Sequence, residues 1–120
     1  MSGARWIPVA LWAGFILTAT SLPAVPAPAA PPGTDKLAHL AMYAVLGVLA
    51  LRAARPTAPV PRTVMVTLAA IAMFAAVDEW HQRFIPTRSA DPADWLADVA
   101  GATLGIGSLA ALKLRRVKGT

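Results

Sequence analysis

Residues 78–98 read DEWHQRFIPTRSADPADWLAD and hold five of the six carboxylates in the chain. The remaining acid, Asp35, opens DKLAHLAMY at residues 35–43, which also carries Lys36, His39 and Tyr43. Around these two motifs run stretches free of Asp, Glu, Lys and Arg, at 6–22, 37–51, 63–77 and 99–112. The last three are shorter than the roughly 20 residues that cross about 30 Å of hydrocarbon. The polar motifs account for the shortfall. Pro61 and Pro92 suit the first turn of a helix, where the missing N–H has no intrahelical partner in any case. Asp91 is placed to cap the helix that Pro92 opens, with Asp94 near its positive end. Helices then cover about 6–22, 35–52, 61–84 and 92–114, and the charged residues form their outer turns. The fold class is all-α, an integral membrane four-helix bundle in one domain spanning residues 1–120.

Composition points to the same solvent. Hydrophobic residues make up 57% and charged residues 14%, against roughly 45–50% and about 25% in soluble domains. A chain of 120 residues cannot enclose that much apolar side chain in its own interior. The formal charge of +5 does not indicate nucleic acid. The basic residues flank the apolar runs, as cytoplasmic membrane edges do, and form no binding stripe. With no cysteine in the chain, disulfides and thiolate metal sites are excluded.

The connections differ in kind. Residues 23–33, PAVPAPAAPPG, form an extended, polyproline-like segment. Residues 53–61 form a short basic loop, and 84–91 a tight turn with Pro86 and Arg88. A signal peptide is the rival reading of the first run, with cleavage near Ala27; the run is longer than a usual h-region and prolines crowd that site. With four spans and the N-terminus inside, eight of the eleven basic residues lie on the inner side. This bias places both termini in the cytoplasm and both polar motifs at the outer face.

Helical spacing aligns the polar groups. Lys36, His39, Tyr43 and Gly47 share one stripe of helix 2. On helix 3, Asp78 meets His81 and Gln82, and Glu79 meets Arg83 as a solvated pair. On helix 4, Asp94 and Asp98 continue into Gly101 and Gly105, a GxxxG pattern that admits a close neighbour. Ala69, Ala72 and Ala76 of helix 3 are the facing small residues in this reading, and Arg88 pairs with Asp94 or Asp98. The candidate ligand-binding set is Asp35, Lys36, His39, Tyr43, Asp78, Glu79, Gln82, Arg88, Asp94 and Asp98. Ionisable groups at membrane depth are functional candidates by default. No metal or other cofactor is expected: HExxH is absent, and DEWH puts Glu79 and His81 on different helix faces.

DKLAHLAMYAVLG, followed after one apolar run by DEWHQRFIPTRSADPADWLADVAGATLG, resembles the VanZ-like family of small bacterial membrane proteins. Ser21–Pro23 fits the end of that family's first helix. The family pattern falls on Asp35, Lys36, His39, Tyr43 and Gly47, then on Asp78, Glu79, Gln82, Pro86, Arg88, Asp94, Asp98 and Gly101. Thr87 stands where the family usually has Gly, and Asp98 where Asn is common. The resemblance implies a cell-envelope compartment; the founding member is associated with teicoplanin resistance. The expected function is binding or handling of an envelope lipid, lipid-linked precursor or amphiphile. Lys36, Arg88 and His39 would meet anionic oxygens, and the carboxylates sugar or amine groups. An intramembrane enzyme using His39 or His81, and a small subunit docking through the GxxxG face as a helix-mediated oligomer, are the alternatives.

Overall fold

A computed structural model describes residues 3–23, 33–54 and 60–119. A single 3-10 turn, Ala4–Trp6, leads into α1 (Ile7–Ser21), followed by α2 (Thr34–Ala54), α3 (Pro61–Gln82) and α4 (Pro92–Lys118). The described residues are helices and connections, without a strand. Most of the extended 23–33 segment and of the 53–61 loop lies outside the described residues.

Local chemistry sets the helix ends. Prolines stand in the first turns of α1, α3 and α4, and Asp91 caps α4 by accepting from the Ala93 N–H at 2.9 Å. α3 ends at Gln82, short of the expected Phe84. There the chain turns through bonds from the Phe84 N–H to the His81 carbonyl and from the Ile85 N–H to the Gln82 carbonyl. α4 runs one turn further than expected, to Lys118, because no breaker precedes Gly119. Arg115, Arg116 and Lys118 in its last turn suit the negative end of the helix.

α2, α3 and α4 are each long and apolar enough to cross a membrane. α1, at 15 residues, reaches only about 22 Å at 1.5 Å per residue. It packs on α2 and α3 and makes no contact with α4. α2 and α4 form the most intimate pair of the bundle. A Cβ on Gly101 or Gly105 would lie 2.1 Å from the backbone carbonyl oxygen of Leu40 or Ala44. One on Gly47 would lie 2.8 Å from that of Ala102. The partner of the GxxxG face is therefore α2, and the expectation of α3 is corrected. Ala69 and Ala76 are exposed on the bundle surface instead.

The apolar core joins Ile16, Tyr43, Leu46, Leu51, Ile71 and Ile106. Leu11, Met65, Met73, Val77 and Leu104 point outward. In lipid such side chains face acyl chains and carry no penalty, so the bundle is inside-out only by the standard of water.

Candidate functional site

The C-terminal ends of α1 and α3 and the N-terminal ends of α2 and α4 meet at one end of the bundle, and every carboxylate of the chain lies there. Asp78, Glu79, Asp94 and Asp98 are buried, as are His39, Tyr43 and Gln82. Burial of carboxylates demands partners, and each finds one on another element or turn.

Asp78 is held by two hydroxyls. Thr20 Oγ1 of α1 donates to Oδ1 at 2.6 Å, and the Tyr43 hydroxyl of α2 donates to Oδ2 at 3.2 Å. Glu79 accepts from Gln82 Nε2 at 3.2 Å and from the Asp91 backbone N–H at 2.8 Å, which ties α3 to the start of α4. Asp98 Oδ1 lies 2.7 Å from His39 Nδ1. Asp94 pairs with Lys36, whose ammonium also reaches Asp91 at 2.9 Å. That ammonium and the Ala93 N–H hold the Asp91 carboxyl below its ordinary range. Asp35 stands at the mouth, 3.8 Å from His39 Nε2.

Nine of the ten residues singled out above thus gather in one cluster of two bonded groups, Asp78 with Tyr43 and the other seven linked through Lys36, His39 and Asp91. Arg88 does not join it. Its Nε donates to the Leu22 carbonyl at 2.6 Å and a terminal nitrogen to the Ala19 carbonyl at 3.4 Å, both at the end of α1. The expected pairing with Asp94 or Asp98 is replaced by this clamp, since helix α1 ends beside the turn with carbonyls unsatisfied. Two further expectations change. Gln82 serves Glu79, three residues back, and not Asp78. Arg83 stays outside, 5.7 Å from the centre of the Phe84 ring, while Glu79 turns inward. His81, the other histidine, makes none of the contacts of the cluster.

Thr20 is the functional-site residue that motif reasoning passes over. The only signal for it is a hydroxyl in the last turn of an otherwise apolar helix. Two tryptophans also pin the frame, Trp12 Nε1 donating to the Met42 carbonyl at 2.8 Å and Trp95 Nε1 to the Ala72 carbonyl at 3.0 Å.

Two overlapping trios of potential metal ligands arise here. Asp35, His39 and Asp94 form one, and His39, Glu79 and Asp98 the other, with the ligand atoms of each trio within 4.8 Å of one another. Beside the cluster, Ala76, Glu79, Trp80, Ala90, Asp91, Pro92 and Trp95 line an open groove of about 260 Å³ between α3 and α4.

The VanZ/LLP1 family model matches residues 3–113. The chain belongs to the VanZ/LLP1 family. The match takes in α1 to α3, α4 as far as Lys113, and every residue of the cluster, and with three apolar spanning helices it makes this VanZ/LLP1 member a multi-pass membrane protein. No curated protein and no solved structure matches the chain.

Proposed function

We propose that this VanZ/LLP1 protein holds the head group of an envelope lipid or lipid-like amphiphile at the carboxylate end of its bundle, in the inner membrane. The observation that carries the reading is the charge balance of that end. Six acids gather there, against Lys36, engaged by Asp91 and Asp94, Arg88, engaged by the α1 carbonyls, and Arg83, which lies over the Phe84 ring. The buried carboxylates have partners within the protein, but those of Asp35 and Asp91 stay open to solvent, so a head group arriving at this end meets acceptors, and an amine or a sugar hydroxyl fits better than bare phosphate. This reverses the anion-binding role that the sequence alone assigns to Lys36, Arg88 and His39.

The α3–α4 groove supplies the other half of an amphiphile site. Asp91 and the buried Glu79 are among its lining residues, and Trp80, Trp95 and Ala76 give an apolar wall for an acyl chain. Exposed tryptophan at this level also suits the membrane interface. The test is lipid retention by the purified protein in mixed nanodiscs. Phosphatidylethanolamine should be retained over phosphatidylglycerol, and Asp91→Asn, which keeps the helix cap, should reduce that preference severalfold. Equal retention of the two lipids, or an unchanged preference in Asp91→Asn, overturns the reading.

One observation favours a second reading, an enzyme acting on such a lipid. The His39–Asp98 contact is the geometry of an oriented general base. Release of product from a head-group-labelled lipid, lost in His39→Gln, would establish it. The subunit reading loses its main support, because the Gly101–Gly105 face is closed by α2 of the same chain.

A further inference from the structure

We propose that His39, Glu79 and Asp98 form a binding site for one divalent transition-metal ion, of the Zn²⁺ or Mn²⁺ class, inside the carboxylate end of the bundle. The three side chains come from α2, α3 and α4, and all are buried. A ligand atom from each lies within 4.8 Å of the other two. Donors at about 2.0–2.2 Å from a shared tetrahedral ion lie about 3.3–3.6 Å apart, so an ion would draw the three side chains inward from this spacing by small rotations.

A gathering of acids does not by itself make a site. The second observation is Asp98 Oδ2. Asp98 is fully buried, and this oxygen has no hydrogen-bond partner. A buried carboxylate oxygen left without a donor is costly, and it marks a place where a ligand is missing from the hydrogen-bond pattern. Its neighbours are otherwise satisfied: Asp78 by Thr20 and Tyr43, Asp94 by Lys36, and Glu79 by Gln82 and the Asp91 N–H.

The charges agree with the geometry. Four buried carboxylates face one lysine and one histidine, and Arg88 is turned away to the α1 carbonyls. A cation between Glu79 and Asp98 supplies positive charge where desolvated carboxylates lack it. The Gln82 and Asp91 N–H bonds on Glu79 leave lone pairs free and fix its orientation, the role that outer partners play at metal centres. The second trio, Asp35, His39 and Asp94, shares His39 and reaches solvent through Asp35, which gives the ion an entry route. One imidazole with two carboxylates selects first-row transition ions over Mg²⁺ and Ca²⁺, which take oxygen donors almost exclusively.

The site does not depend on the lipid reading, and the experiment separates the two. The tag-free protein is purified in detergent, stripped with chelator and titrated with Zn²⁺, Mn²⁺ or Mg²⁺, with bound metal counted by elemental analysis. With no cysteine and two histidines in the chain, background binding is low. The wild type should take up one Zn²⁺ per chain, hold Mg²⁺ more weakly, and melt at higher temperature with Zn²⁺ present. His39→Gln and Asp98→Asn should each weaken Zn²⁺ binding by at least about tenfold, the lower end of losses seen even for outer-sphere changes. Asp91→Asn, outside the trio, should bind Zn²⁺ as the wild type does while losing its lipid preference. No Zn²⁺ uptake by the folded wild type overturns the proposal, whatever the variants do. So does wild-type affinity in folded His39→Gln and Asp98→Asn.

Discussion

Thr87 has φ +66°, a left-handed backbone angle that a β-branched residue seldom adopts. It lies in the turn that carries Arg88 to the end of α1. Left-handed backbone costs a non-glycine residue roughly 1–2 kcal/mol. Thr87→Gly should therefore stabilise the protein by about 1 kcal/mol, less the loss of the Thr87 Oγ1 contact with the Pro86 carbonyl. A melting series in detergent with Thr87→Ala alongside checks it, because alanine should bring no such gain. The next residue offers a test of position. Arg88→Ala should cost about 1 kcal/mol through lost bonds to the Leu22 and Ala19 carbonyls. It should be additive with Asp94→Asn, since the two share no partner. A coupling well above about 0.5 kcal/mol would restore the ion pair read from sequence. That reading failed for a physical reason. Opposite charges near each other in sequence suggest a pair, but the unsatisfied carbonyls of a helix end 66 residues away leave no periodic trace. His39, Tyr43 and the carboxylates were legible because ionisable groups among apolar runs have few alternatives to one another. Thr20 was not, because a lone hydroxyl in a helix normally bonds its own backbone, as Thr18 does to Gly14, and Thr20 Oγ1 also lies 2.9 Å from the Ile16 carbonyl.

At the scale of elements, the bundle turns on the α2–α4 contact. Backbone approaches backbone at Gly101 against Leu40 and at Gly105 against Ala44, too close for any Cβ. Gly101→Ala should force the helices apart and cost roughly 1–3 kcal/mol or more, the range for overpacking a filled interior. It should also disturb His39–Asp98 and Lys36–Asp94, which span the same two helices. Gly107→Ala is the matched control. Nothing lies within 4 Å of its added Cβ, and better helix propensity should make it neutral or stabilising by up to about 1 kcal/mol. Equal melting temperatures for the two variants would disprove the tight seam. The GxxxG spacing announced a close neighbour without naming it. Helix 3 offered small residues, but α2 presents Gly47 on the stripe that carries His39 and Tyr43, so packing and site share one surface. That coincidence required the crossing geometry, which spacing along single helices does not contain.

Across the whole molecule the two ends have opposite character along a 52 Å long axis. The acids occupy one end, and Arg5, Arg52, Arg62, Lys113, Arg115, Arg116 and Lys118 the other. Composition and the four apolar runs were enough to read a helical membrane bundle. α1, the shortest of the four, packs on α2 and α3 and carries Arg5 before one end and Thr20 at the other. The charge separation implies an orientation, because Lys and Arg near span ends are retained in the cytoplasm. The cysteine-free chain allows a direct measurement with single cysteines at Ser89 and Gly119, both exposed and at opposite ends. In intact cells an impermeant maleimide should label Ser89→Cys, and Gly119→Cys should react only after permeabilisation. The reverse pattern would turn the carboxylate end to the cytoplasm and require its amphiphile to come from the inner leaflet. Labelling at the outer face would instead leave the basic groove of Arg52, Lys113 and Arg116 against the anionic inner surface, where each cation contributes about 1 kcal/mol to membrane attraction. The acidic end would then be held facing out by charges at the far end of the same helices.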